Sequence, residues 1–279
     1  MVRTVLPMGE LIFVGLGMSR PEDMSVRALT TLRNCDEIFA EFYTSKLNDA
    51  QTKDIEAFIG KKLTVLGRAD VEEKDIIVSA AKRKKVAFIS AGDPMTATTH
   101  VDLRLRAMRE GIRTDMTNGV SIFISCPAAF GLQPYKFGRT VTIPFPEPRF
   151  LPSSPYENIL ENRSRGLHTL ILLDIKQEED RYMTAPMAMR WLLDAEERLA
   201  LGLVNERSLF CAAARVGSER QALFAGYPDE ILNVDLGPPL HCMVMPGQLH
   251  FMEARALVAL ANAPTEILDE GGSGSEAEK

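Results

Sequence analysis

A two-domain α/β chain is the fold class this sequence predicts. The N-terminal domain (8–118) carries a mostly parallel sheet with helices on both faces, and the C-terminal α+β domain (119–268) a mixed sheet. Three observations lead there. Short apolar runs alternate with helix-like segments through the first 118 residues, as in strand–helix–strand units whose strands run parallel. After Asn118 the pattern changes character and two long helices appear. At 279 residues and 46% hydrophobic side chains, the chain can bury its core without disulfide or metal staples.

Taken in order, residues 11–14 form an apolar run ending at Gly15-Leu16-Gly17, a buried strand and a tight turn. Ser25 is placed as the N-cap of a helix carrying Val26, Leu29 and Leu32 on one face. Strands follow at 37–42 and 62–66. A polar helix over 72–85 leads into a buried strand at 86–89, broken by Gly92-Asp93-Pro94. A helix over 101–109 and a strand over 112–116 complete the first domain. The second domain has predicted strands at 140–143, 169–174, 209–214, 222–225 and 241–245, with helices over 185–200 and 250–261. Five prolines within 144–155 mark a surface loop, because proline fits neither a ladder nor a helix interior. The tail 269–279, rich in Gly, Ser and Glu, reads as disordered. Met8 stands just before the first strand, so 1–7 reads as an upstream extension.

Composition excludes several classes. A net charge of −6 argues against a nucleic-acid binder, which needs a basic face. No apolar run approaches the roughly 20 residues that span a bilayer, and the default compartment is the cytoplasm. Cys35, Cys126, Cys211 and Cys242 form no C-x-x-C pair and suit buried reduced thiols. His100, His168, His241 and His250 have no metal-ligand spacing, so no metal is expected.

The motifs are individually weak. Gly15-Leu16-Gly17 starts a G-x-G-x-x-G pattern that Arg20 breaks, leaving a tight turn or a ligand-facing loop as even alternatives. Gly92-Asp93-Pro94 follows a strand and opens at the carboxyl edge of the sheet, where open α/β folds bind ligands. There Asp93 is either a turn residue or a ligand for a cation or ribose hydroxyls. In Ala97-Thr98-Thr99-His100 the hydroxyls read as helix caps, and any one histidine as a hydrogen-bonded structural group. The runs Lys82-Arg83-Lys84-Lys85 and Glu178-Glu179-Asp180 read as a solvated helix end and a solvated loop.

Together the strings carry more. Phe13-Val14-Gly15-Leu16-Gly17, Ala40-Glu41-Phe42-Tyr43-Thr44-Ser45, Gly92 through His100, Tyr135-Lys136-Phe137-Gly138, Gly166-Leu167-His168-Thr169, Leu173-Asp174-Ile175-Lys176, Arg181-Tyr182-Met183-Thr184 and Pro246 through Phe251 occur in that order. From about residue 8 to 268 the chain resembles the diphthine synthase branch of the tetrapyrrole-methylase-like methyltransferases, in its archaeal form. The resemblance implies two α/β domains with S-adenosyl-L-methionine bound in the cleft between them, commonly in a homodimer. It implies trimethylation of the amino group of a 3-carboxy-3-aminopropyl-histidine on translation elongation factor 2, a step of diphthamide biosynthesis, with S-adenosyl-L-homocysteine as product. Family donor-binding positions carry over to Met18, Asp93, Thr96, Ser121, Ile122, Leu172, Ala213 and His241, several of them through backbone groups. Met18, Thr96 and Ala213 depart from the family pattern, and no catalytic residue is implied. Two other readings stand beside this one: a methyltransferase of a corrinoid precursor, and a non-catalytic, donor-binding adaptor of translation.

Overall fold

The computed structural model describes residues 9–147 and 152–270. The 1–7 extension, part of the proline-rich loop and most of the 269–279 tail lie outside them. The chain divides into two compact units, one ending at Ile122 and including Gln177–Glu179, the other built from the remainder.

The first unit runs β1 (Glu10–Gly15), α1 (Val26–Arg33), β2 (Glu37–Glu41), α2 (Thr52–Ile59), β3 (Thr64–Leu66), α3 (Arg68–Glu72), α4 (Ile76–Ala81), β4 (Lys85–Ser90), α5 (His100–Arg109) and β5 (Arg113–Thr117). Its sheet has the order β3-β2-β4-β1-β5, with every pairing parallel. Strand side chains alternate between faces, and both faces here are covered. Leu11, Phe13, Phe39, Val86 and Phe88 pack with Val71, Ile77, Val78, Leu103 and Ala107 from α3, α4 and α5. Ile12, Val14, Ile38, Ala87 and Ile89 pack on the other side with Ala28, Leu32, Ile55 and Ile59 from α1 and α2. That is why the strands read as unbroken apolar runs.

Ser25 caps α1 as predicted, its hydroxyl accepting from the Ala28 N–H at 3.1 Å. The buried face of α1 is set by Ala28 and Leu32, and Val26 stands 82% exposed in its first turn. The expected helix over 72–85 is two short helices, α3 and α4, separated at Glu73-Lys74-Asp75. The basic run therefore closes α4 and opens β4.

The second unit runs α6 (Ile122–Phe130), β6 (Val141–Ile143), α7 (Ser154–Ser164), β7 (Thr169–Leu173), β8 (Ile175–Lys176), β9 (Arg181–Tyr182), α8 (Ala185–Leu199), β10 (Phe210–Ala214), β11 (Ala222–Gly226), α9 (Pro228–Asn233), β12 (His241–Met245), α10 (Phe251–Ala261) and α11 (Ile267–Glu270). Its main sheet, β11-β10-β12-β7-β6, is mixed: β6 and β7 are parallel and the other pairings antiparallel. One face, with Ile171, Leu173, Ala212, Ala214, Met243 and Met245, packs on Tyr156, Ile159, Met189, Trp191 and Leu192 of α7 and α8. The proline-rich loop ends sooner than expected, because Pro155 sits in the first turn of α7, where its missing N–H costs nothing. The acidic run forms a 3-10 turn at Gln177–Glu179 between β8 and β9.

Candidate functional site

The first unit gathers the expected donor-binding residues where its strands end. The loops after β1, β4 and β5 meet backbone to backbone at the carboxyl edge of the sheet. Gly17 and Gly92 form an isolated antiparallel bridge, the Gly92 N–H donating to the Gly17 carbonyl at 2.7 Å and the Gly17 N–H returning a 3.3 Å bond. Gly15 and Gly119 are glycines because the loops touch. A Cβ on Gly15 would lie 2.5 Å from the Gly92 oxygen, and one on Gly119 only 2.1 Å from it. Gly92 differs: its φ is +70°, and among the described residues an added Cβ would meet only the Val120 oxygen, at 3.9 Å. Of the three, Gly92 is the one with open space for a ligand to approach its backbone.

Asp93 locks this junction. One carboxylate oxygen accepts from the Met95 N–H at 3.0 Å and the Thr96 hydroxyl at 3.1 Å. The other accepts from the Asn118 amide at 2.9 Å and the Gly119 N–H at 3.3 Å. A carboxylate offers about four lone-pair sites, and all are taken. The side chain is a brace between loops, which leaves the surrounding backbone, rather than the carboxylate, to face a ligand. Met18 and Thr96 lie half-buried in the loops after β1 and β4, and the Met18 carbonyl accepts from Asn48. Ser121 and Ile122, also half-buried, stand at the start of α6.

His100, first residue of α5, is buried beneath the loop after β4. Its Nδ1–H donates to the Pro94 carbonyl at 2.8 Å, and its ring meets Phe88 edge-on at 4.9 Å. Its Nε2 lies 3.5 Å from a carboxylate oxygen of the fully buried Glu41, which is itself held by the Thr44 hydroxyl at 2.6 Å.

In the second unit the sheet places two expected residues in one row. Leu172 of β7 pairs with Cys242 of β12, which pairs with Ala213 of β10, so the three side chains share a face. The Cys126 and Cys242 sulfurs are 3.5 Å apart on that face, and all four cysteines are free and buried. His241 begins β12. Its Nδ1 accepts from the Ala185 N–H at 3.2 Å, and its Nε2–H donates to the Gly237 carbonyl at 3.0 Å. Both ring nitrogens are committed. Burial, chiefly, lowers its pKa below the ordinary 6.5.

A second centre forms at Glu253, which none of the sequence motifs above marks. Four donors converge on this buried carboxylate: Lys136 Nζ, the Gln133 N–H at 2.8 Å, the His250 N–H at 2.8 Å and His168 Nε2–H at 3.1 Å. His168 Nδ1 in turn accepts from the Gly247 N–H at 2.9 Å. The strings around Lys136, His168 and His250 thus meet at one point. The available signal was His250-x-x-Glu253 at a helix start, the spacing of a capping box, which the structure forms. Burial opposes the Glu253 charge, but the Lys136 hydrogen bond and the two backbone donors outweigh it and hold the carboxyl below its ordinary 4.5. Burial is also the main cause that lowers His168.

These shifts have one sign. A group with a depressed folded pKa binds fewer protons folded than unfolded, so its contribution is complete above the unfolded value. It is lost as pH falls through the folded one. For His168 and His241 that window opens below 6.5, and for Glu253 below 4.5. The urea midpoint of the protein is therefore expected to fall between about pH 6.5 and 5. A midpoint that held constant across this interval would contradict the neutral-histidine assignment.

Among the described residues, no group of three or more His, Cys, Asp or Glu is placed to hold a metal ion, and no helix is long and apolar enough to cross a membrane.

Comparison with known proteins shows the family. Residues 10–230 match the family model described as tetrapyrrole (corrin/porphyrin) methylases. The diphthine synthase of Methanothermobacter thermautotrophicus is 43% identical over 259 residues, covering 93% of this chain and 98% of that protein. The diphthine synthase of Methanocella arvoryzae is 46% identical over 253 residues, covering 90% and 98%. A crystal structure of a diphthine synthase superposes with a TM-score of 0.85 at 34% identity, covering 93% of this chain and 99% of that one. The chain belongs to the tetrapyrrole methylase family and, within it, to the diphthine synthases.

Proposed function

We propose that this enzyme transfers three methyl groups from S-adenosyl-L-methionine to the amino group of the 3-carboxy-3-aminopropyl-histidine intermediate on translation elongation factor 2, giving diphthine and S-adenosyl-L-homocysteine. The observation that carries this reading is the match to named diphthine synthases over nearly their whole length. Proposed donor contacts are Met18, Asp93, Thr96, Ser121, Ile122, Leu172, Ala213 and His241. The open backbone at Gly92 fits a ligand approached by main-chain groups, and the filled hydrogen bonds of Asp93 and His241 make backbone contact their natural mode. The cytoplasm and a homodimeric state complete the proposal.

The chemistry asks little of side chains. Methyl transfer from a sulfonium is a direct displacement, and the protein contributes alignment of nucleophile, methyl carbon and sulfur. An α-amino group has an unperturbed pKa of about 8, so a useful neutral fraction exists near neutrality. Excluding water shifts it further toward the neutral amine that attacks. We assign no essential general base. His168 and His241 have both ring nitrogens bound within the protein. The third transfer leaves a nitrogen without a lone pair, which ends the series.

The test is transfer of labelled methyl to elongation factor 2 carrying the unmethylated intermediate, with mass spectrometry of the modified histidine. Three added methyl groups are expected, and four would move the assignment to an ester-forming variant. No transfer to elongation factor 2, with turnover of a corrinoid precursor, would replace this substrate with a tetrapyrrole. Donor binding without any turnover would favour an adaptor.

A further inference from the structure

We propose that His100 is the positioning residue of the donor loop, acting through the Nδ1–H bond that ties its ring to the Pro94 carbonyl. This rests on the reading of Asp93 and Thr96 as donor contacts, and it adds the device that fixes the shape of their loop.

The loop between β4 and α5 is held by a backbone turn bond, from the Thr96 N–H to the Asp93 carbonyl at 3.3 Å, and otherwise by side chains. It contains Ala97 at φ +55°, a conformation that L residues rarely adopt and that the surroundings must impose. At its front, Asp93 braces Met95 and Thr96. At its back, three contacts converge on the 94–100 segment. The Thr98 hydroxyl reaches the Pro94 carbonyl at 3.4 Å, the His100 N–H reaches the Thr98 hydroxyl at 3.3 Å, and His100 Nδ1 reaches the Pro94 carbonyl at 2.8 Å. The imidazole bond is the shortest of these, and it closes the segment onto its own first turn. The ring that makes it cannot drift, because it is 1% exposed and rests edge-on against Phe88 of the central sheet.

The two ring nitrogens are unequal in a telling way. A carbonyl only accepts, so the bond to Pro94 places a proton on Nδ1. Nε2, on the other side, is fully buried and makes no hydrogen bond among the described residues, with a Glu41 carboxylate oxygen 3.5 Å away. Buried polar atoms are seldom left this way, and the fold tolerates it here. The atom that accounts for a histidine at this position is Nδ1.

Amide side chains separate the two nitrogens, since asparagine at this position would present its NH2 near the Nδ1 site and the longer glutamine near Nε2. His100→Asn is expected to keep the affinity for S-adenosyl-L-homocysteine within about threefold of wild type, by titration calorimetry. His100→Gln is expected to weaken it at least tenfold, with faster amide exchange at Met95 and Thr96 in the ligand-free protein. Equal losses in both variants would reduce His100 to packing and overturn the proposal, as would no loss in either or a loss confined to the asparagine. The exchange measurement needs no ligand, so it still decides the matter if wild-type protein fails to bind the donor, a result that would refute the donor reading instead. Should a variant not fold, 15N correlation spectra of the wild type read the tautomer directly. A proton on Nδ1 is expected, and one on Nε2 alone would overturn the assignment.

Discussion

Glu253→Ala is expected to cost the second unit about 3–5 kcal/mol of stability, the range for removing one partner of a buried ion pair. The carboxylate is 1% exposed and answers four donors from three separate segments, at Gln133–Lys136, His168 and His250. Its loss leaves the Gln133 and His250 N–H groups without their acceptor and Lys136 Nζ with only the Gln248 carbonyl of its two partners. It also removes the partner that holds His168 with its proton on Nε2 and its Nδ1 toward Gly247. Urea unfolding at pH 7.5 measures the effect. Glu253→Gln, which keeps the volume and one acceptor, should fall between the alanine variant and wild type. A cost below about 1 kcal/mol for alanine would show that water replaces the carboxylate, contrary to the burial on which the argument rests.

The second large effect is on activity. Gly119→Ala should lower kcat/KM for methyl transfer by about 100-fold, because an ångström of misplacement in a transfer site has that scale of consequence. The added methyl would sit 2.1 Å from the Gly92 oxygen and 2.9 Å from the Gly15 backbone, and neither can yield without moving a loop. Gly60→Ala is the matched control. It too replaces a glycine, at φ +74° closing α2, but among the described residues no heavy atom beyond its own helix and chain neighbours lies within 4 Å of its added Cβ. It should lower stability modestly and leave kcat/KM near wild type. Equal activity losses in the two variants would mean that loop spacing is not the controlling variable.

The sequence announced its elements by composition and concealed their contacts. Strands buried on both faces, such as Glu10–Gly15 and Lys85–Ser90, were legible because nothing polar interrupts them. Val26 was misassigned to the buried face because apolar spacing alone does not say where a helix begins to touch the sheet. The break at Glu73-Lys74-Asp75 was missed for a related reason, since a polar stretch with good helix formers on both sides carries no stop signal. Short helices such as α2 and α9 carry too few turns for a period to be read, and α6 is apolar at nearly every position, so it shows no one-sided stripe. At the site, Asp93 and His100 could be singled out from their strings. Their roles depend on Asn118, Gly119, Pro94 and Glu41, and most of those partners are distant in sequence. Glu253 shows the limit most clearly: its partners lie 85 to 120 positions away, and only its local cap to His250 was on offer.

The strand order of the first unit also sets a timetable. β1 is made first, yet it lies between β4 and β5, so Glu10 must wait for Lys85 on one side and Arg113 on the other. At the pace of a ribosome, that delay is on the order of ten seconds. Throughout it the nascent chain displays Leu-Ile-Phe-Val with both edges unpaired, a segment that invites pairing with any passing strand. The newborn protein's exposure to aggregation, and its claim on chaperones, is thus written into the place of its first strand at the middle of its first sheet.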